Sequence, residues 1–369
     1  MSILLLGATG AMGQAAARFL AAEDVPFTLA GRDREKLSRL RAKLGKGETA
    51  VVALEDEQAL RQAMRNHRVV AGAAGPFYRW EGYLGRLALE EGVHYISICD
   101  DYDGAQALLD LHEEARAKGL TLITGMGWTP GLTNLAALLG AQELDHVRAI
   151  HAAWAGSAED DSGLAVTLHV LHAFAGKVPS YRGGQLVQVQ AGKGPYWVDF
   201  PSPLGPVPTY ECGHPEPITL SRSFPGVEEV TLRGAITQKL PNAIGRLLGR
   251  FSFLHGAKVR PKVAALSMRL LPLLNRLTPA PTSLSGFWVR VEGMKEGKPW
   301  QVTRRALGPM DVLTGFPLAV GAADLSQGKV GIPGAYPPEA PGLFMPADIF
   351  QRLEAFAVKV ERLEGPLTG

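Results

Sequence analysis

The chain has 369 residues, 46% hydrophobic and 20% charged, a balance that folds as a globule and is too long for one ordinary core, so two domains are expected. A net charge of +2 argues against a dedicated nucleic-acid binder. The two cysteines, Cys99 and Cys212, exclude a disulfide scaffold and a four-cysteine zinc site, and they suit the reducing cytosol.

Short apolar runs alternate with helical patterns along the first third. Ile3–Leu6, Phe27–Ala30, Ala50–Leu54, Val69–Ala73, Tyr95–Ile98 and Leu120–Thr124 read as strands. Ala11–Ala22, Arg34–Leu44, Glu57–Asn66, Tyr83–Glu91 and Gly104–Lys118 read as helices. This alternation predicts an α/β fold, a Rossmann doubly wound parallel sheet over residues 1–126. The opening run reads as a buried strand rather than a signal, and no run reaches the roughly 18 apolar residues of a membrane helix, so a cytoplasmic protein is expected.

Beyond Met126 the rhythm changes to Gly- and Pro-rich loops between the strand-like runs Val147–Trp154, Gln185–Val189, Ile218–Leu220, Glu229–Thr237, Phe287–Glu292 and Pro299–Arg304. A second α+β domain with a mixed or antiparallel sheet is expected over 127–340. Gly192–Pro217 reads as a long surface excursion, and Asp348–Leu363 as a helix in a segment, 341–369, that packs back on the first domain.

The turn Gly7-Ala8-Thr9-Gly10-Ala11-Met12-Gly13 follows the first strand and opens a helix. Glycines let backbone N–H groups reach a pyrophosphate, which then sits at the positive end of the helix dipole. An NAD binder usually presents an acid at the end of the second strand to hold the ribose hydroxyls. Here the strand ends Gly31-Arg32-Asp33, and Arg32 is placed to pair with a 2′-phosphate while its plane covers the adenine. NADP is therefore expected ahead of NAD, and Asp33 either joins the site or caps the next helix. Ala74-Gly75-Pro76-Phe77-Tyr78 follows the fourth strand, at the edge where a nicotinamide would lie. None of the eight tyrosines has a lysine four residues on, which excludes the Tyr-x-x-x-Lys catalytic pair.

Gly75-Pro76-Phe77, Gly92-Val93-His94-Tyr95, Ala117-Lys118-Gly119 and the run Gly125-Met126-Gly127-Trp128-Thr129-Pro130-Gly131-Leu132-Thr133-Asn134 resemble the saccharopine dehydrogenase family. So do Gly213-His214-Pro215-Glu216-Pro217-Ile218-Thr219-Leu220, Thr314-Gly315-Phe316-Pro317 and Tyr336-Pro337-Pro338-Glu339. The resemblance implies a nicotinamide-dependent oxidoreductase with a Rossmann domain and a substrate and dimerisation domain, working as a homodimer. It implies that the glycine turn, Gly31-Arg32-Asp33 and Gly75-Pro76-Phe77 bind the cofactor, with Thr129-Pro130-Gly131 beside the nicotinamide. Two departures stand out: Tyr95-Ile96-Ser97 where the family often reads Tyr-x-Asp, and residues 240–285, which look inserted.

The expected activity is NADP-dependent hydride transfer at a C–N bond of an amino-acid derivative. Alternatives on the same fold are a reductase of a lipid-like C=C or C=O substrate and a non-catalytic NADPH-binding module. His214 is the preferred acid/base, followed by Asp101 and Tyr78. His169 and His172, spaced i and i+3, lack a partner that completes a metal site, so packing is the expected role and no metal is expected. Asp161-Ser162-Gly163, ahead of them, offers either a helix cap or a seat for a carboxylate. Val230–Val291 holds ten Lys and Arg and no acid, leaving −8 for the remainder. Within it Leu247, Leu248, Phe251, Phe253, Leu254, Leu266, Leu270, Leu271, Leu273 and Leu274 alternate with arginines. That pattern suits either a dimer interface or a peripheral membrane or acyl contact through 240–285.

Overall fold

The computed structural model describes residues 2–158, 163–249, 251 and 259–367. The chain divides into two units, Met1–Leu132 with Asp311–Met345, and Thr133–Met310 with Pro346–Gly369.

In the first unit the chain runs β1 (Ile3–Leu6), α1 (Ala11–Ala22), β2 (Phe27–Gly31), α2 (Arg34–Leu44), β3 (Glu48–Val51), α3 (Glu57–Arg65), β4 (Val69–Gly72), α4 (Phe77–Glu91), β5 (His94–Ser97), α5 (Tyr102–Leu109), α6 (His112–Ala117) and β6 (Thr121–Ile123). All pairings are parallel, and β4 and β2 flank β1. β1 and β4 are buried on both faces, as their unbroken apolar runs require. The helices start and stop where the side chains direct: Asp33 and Asp56 cap α2 and α3, and Gly45 and Gly92 supply left-handed C-terminal turns.

The second unit follows with α7 (Leu132–Ala141), β7 (His146–Gly156), α8 (Leu164–Ala173), β8 (Lys177–Arg182), β9 (Gln185–Gln190), β10 (Tyr196–Asp199), β11 (Pro206–Glu211), α9 (Glu216–Ser223), β12 (Glu229–Ile236), α10 (Lys239–Leu248), α11 (Arg260–Leu277), β13 (Ser285–Lys295) and β14 (Lys298–Gly308). The chain then returns to the first unit through α12 (Met310–Gln327) and β15 (Gly334–Tyr336), and ends in the second with α13 (Pro346–Glu354) and β16 (Glu361–Pro366). The second sheet runs β10-β11-β12-β7-β13-β14-β16, with β8 and β9 branching from β12. Among the described residues only β12 and β7 pair in parallel in this sheet, so the expected mixed sheet is present.

Several boundaries differ from the sequence reading. Residues 341–369 were expected on the first domain, yet β16 pairs with β14 over Glu361–Arg305 to Pro366–Trp300, within the second unit. The helix expected over Asp348–Leu363 stops at Glu354, and Ala357 turns the chain at φ 59°. Conversely, β15 adds a seventh strand beside β6, and α12 packs on α1 so closely that a Cβ at Gly315 would lie 2.6 Å from the Ala15 Cβ. Contacts at such sequence separation leave no local pattern. Gly192–Pro217 is no excursion: β10 and β11 bring Val198, Phe200, Leu204 and Val207 into a core with Trp288 and Leu307. Ile218–Leu220, expected as a strand, lies inside α9, where Pro217 near its start suits helix and the short apolar run had no decisive period. The helix expected over Gly104–Lys118 is two, because Asp110 and Leu111 bend the chain while staying near helical dihedrals, so Leu108, Leu111 and Ala115 all still reach the core.

Candidate cofactor site

The glycine turn between β1 and α1 is held by its own backbone. Gly7 and Ala8 N–H groups both donate to the Ala30 carbonyl at 3.1 Å, and Gly10 N–H donates to the Gly7 carbonyl at 2.9 Å. Gly7 sits at φ 80°, and a Cβ there would fall 2.6 Å from the Ala73 carbonyl oxygen. A Cβ at Gly13 would lie 2.0 Å from the Gly7 carbonyl oxygen. The turn is therefore as tight as glycine permits. Gly10 occupies the N-cap without a side chain, so the first-turn N–H groups of Ala11, Met12 and Gly13 have neither a cap nor a carbonyl one turn back. They form a cradle for an anion at the positive end of α1.

The sheet order places that cradle. From β1 the chain winds outward through β2 and β3, then restarts on the other side with β4, β5 and β6. β1 and β4 thus flank the reversal point, where α/β sheets open a crevice at their carboxyl edge. The residues after β1 and those after β4, Ala74-Gly75-Pro76-Phe77, meet there, as the Gly7–Ala73 approach records. Phe77 is buried while Ala74, Gly75 and Pro76 are half-buried. Thr9 lies against Gly31, whose Cβ would come 3.3 Å from the Thr9 Oγ1, so the end of β2 joins the same edge. Arg32 is exposed and forms no ion pair among the described residues. Asp33 is engaged as the cap of α2, its carboxylate accepting the Lys36 N–H at 3.0 Å.

Two acid/base candidates meet behind this edge. The Tyr78 N–H, in the first turn of α4, donates to the buried Asp101 carboxylate at 2.8 Å, and the Cys99 thiol donates to the Asp101 carbonyl at 3.4 Å. Burial pushes the Cys99 thiol up, which suits a packing residue rather than a nucleophile. Thr129 and Pro130 lie in the tight turn Gly127–Gly131 after β6, closed by the Gly127 N–H to the Pro130 carbonyl at 3.1 Å.

The sequence reading missed Glu81. This fully buried carboxylate accepts the Tyr95 hydroxyl at 2.8 Å, the Ser97 hydroxyl at 2.5 Å and the Thr124 hydroxyl at 3.0 Å. Burial raises its pKa to about 7 against the opposing pull of those hydroxyls, and the Asp101 charge adds to the rise. Ser97, in the position where Asp was expected, also accepts the Cys99 N–H at 3.3 Å. Bonds therefore lead from Glu81 through Ser97 and Cys99 to Asp101 and back to α4 at Tyr78. The available signal was Glu81 on one helical face with Phe77, Leu84 and Ala88, and it was lost because the helix was expected to begin at Tyr83.

The second unit buries another polar cluster. His214 Nδ1 lies 3.3 Å from Glu216 Oε2, and His214 Nε2 lies 3.1 Å from His169 Nε2. The Thr133 hydroxyl donates to Glu216 Oε1 at 2.9 Å. His172 instead accepts from Arg260 Nη1 at 3.1 Å, so the two helix histidines serve different partners. Asp161 and Ser162 lie outside the described residues.

Residues 3–123 match the family model described as the saccharopine dehydrogenase NADP-binding domain. Over the full length, the fold is similar to that of apo saccharopine dehydrogenase (L-Glu forming) from Saccharomyces cerevisiae, with TM-score 0.68, 15% identity and 99% of each chain covered. An amine dehydrogenase from Mycobacterium smegmatis aligns over 94% of this chain and 98% of its own, at 12% identity and TM-score 0.48.

Proposed function

We propose that the protein is an NADP-dependent oxidoreductase acting at a C–N bond of an amino-acid derivative, a reading supported by the match of residues 3–123 to the saccharopine dehydrogenase NADP-binding domain model. The observation that carries this reading is the glycine cradle at the reversal point of the sheet, which only residues without a Cβ can line at Gly7 and Gly13.

A nicotinamide held here would supply or accept a hydride at the carbon of an imine. Ala11, Met12 and Gly13 would hold the pyrophosphate through backbone N–H groups, and Arg32 would take the 2′-phosphate. Ala74-Gly75-Pro76-Phe77 wall the carboxyl edge and keep water from it. Reduction of an imine to an amine consumes one proton besides the hydride, and an acid/base side chain or water would supply it. A reductase of a lipid-like substrate is the second reading, favoured by the exposed leucines of α11.

Titrating the purified chain with NADPH and NADH, then offering saccharopine, lysine, carboxynorspermidine and enoyl or keto lipids, tests both parts. Arg32→Ala is expected to weaken NADPH binding about tenfold to hundredfold, the worth of a hydrogen bond to a charged group, and to leave NADH nearly unchanged. Equal loss for the two coenzymes would overturn the 2′-phosphate assignment.

A further inference from the structure

One face of α11 is apolar, cationic at its margin and uncovered. Leu266, Leu270, Leu273 and Leu277 are spaced four, three and four residues apart and fall within about 60° of one another around the helix. They are 57%, 46%, 57% and 64% exposed, although leucine is ordinarily a core residue. Lys262, Arg269 and Arg276, seven residues apart, run along one flank of this stripe. All three are exposed and form no ion pair among the described residues. Arg233, elsewhere in the acid-free stretch, is by contrast paired with Glu211.

The opposite side of the helix is anchored, so the outward face is set by packing. Ala264 is buried with Leu168 and Leu171 of α8, and the Asn275 amide donates to the Ala158 carbonyl at 3.0 Å. The Leu240 N–H, in α10, donates to the Thr278 hydroxyl at 3.3 Å at the far end. No helix among the described residues is long and apolar enough to cross a membrane, and α11 carries Arg260, Lys262, Arg269 and Arg276.

We propose that α11 docks flat on an anionic lipid bilayer, its leucines entering the acyl boundary and Lys262, Arg269 and Arg276 meeting the headgroup phosphates. A leucine stripe bordered by cations is what an interfacial helix requires, because apolar burial and counter-charge are supplied by the same surface. A second copy of the chain fits the face less well. α11 holds no Asp or Glu, so pairing it with itself would take the cations of both copies out of water without a counter-charge. Arg250, Phe253, Leu254 and Lys258, which belong to the same basic stretch, lie outside the described residues.

The test is co-sedimentation of the whole protein with phosphatidylcholine vesicles, with and without phosphatidylserine, beside two triple variants. One replaces Leu266, Leu270 and Leu273 with Ser; the other replaces Lys262, Arg269 and Arg276 with Gln. The unaltered protein is expected to bind phosphatidylserine vesicles and to be released by salt. The serine variant should lose at least tenfold in affinity. The glutamine variant should lose the preference for anionic lipid, at about fivefold per cation. Both variants alter only exposed side chains, and thermal melting of each followed by circular dichroism confirms folding independently of lipid and of coenzyme binding. The proposal is overturned if the unaltered protein stays in the supernatant or if the serine variant binds vesicles as well as it does. It is equally overturned if light scattering finds a dimer that the serine variant abolishes, since a second copy then owns the face.

Discussion

Glu81 makes the stability of the first unit depend on pH in an unusual direction. Its pKa rises from 4.5 to about 7, chiefly because burial disfavours the carboxylate. Below pH 4.5 folded and unfolded chains both hold the proton, and above about 7 neither does. Between these limits only the folded chain holds it, so stability falls as pH rises through the interval and is level above it. At about 1.4 kcal/mol per pH unit, the full fall is roughly 3 kcal/mol. Glu81→Gln keeps the size of the side chain: its carbonyl can accept from Ser97 and Thr124, and its amide can donate to the Tyr95 oxygen. The variant should lose the fall and become the more stable protein near pH 8. Urea unfolding followed by circular dichroism across the interval, fitted by unit, reads the difference. His67 and His94, both held low by burial, contribute the opposite slope but are common to both proteins and cancel. Parallel curves for the two proteins would refute the reasoning.

Two further substitutions probe the cofactor edge. Gly13→Ala places a methyl 2.0 Å from the Gly7 carbonyl, so the turn must open; a cost of about 1–3 kcal/mol and a loss of NADPH affinity of at least about a hundredfold are expected, read by thermal melting and coenzyme fluorescence. Asp101→Ala removes the acceptor for the Tyr78 N–H and should destabilise by about 1 kcal/mol, as loss of a helix N-terminal acceptor does, whereas Asp101→Asn keeps an acceptor and should melt near the unaltered protein. Loss of turnover in the stable Asn variant would assign Asp101 to proton transfer, and full turnover would leave it as the anchor of α4.

The parts of the candidate cofactor site that could be read along the chain are those whose chemistry is local. A strand, three glycines and a helix within residues 3–22 specify a tight turn and an anion cradle, since sterics and the helix dipole act over a few residues. That Arg32 after β2 and Gly75-Pro76-Phe77 after β4 lie on one edge was legible for the same reason: a parallel sheet puts every strand end on one side. What had no local signature was contact at long separation. β16 joining β14, β15 joining β6 and α12 lying on α1 each depend on partners far along the chain. The polar clusters divide in the same way. His214 and Glu216 stand two residues apart in a recognisable motif, but their link to His169 exists only once α8 is packed beside them. Glu81 is a single acid whose three hydroxyl partners come from β5 and the end of β6, so only burial in the assembled unit could reveal it and raise its pKa. Residue pattern sets turns, caps and helical faces because those energies are short-ranged; desolvation is collective, and it was decided by tertiary packing.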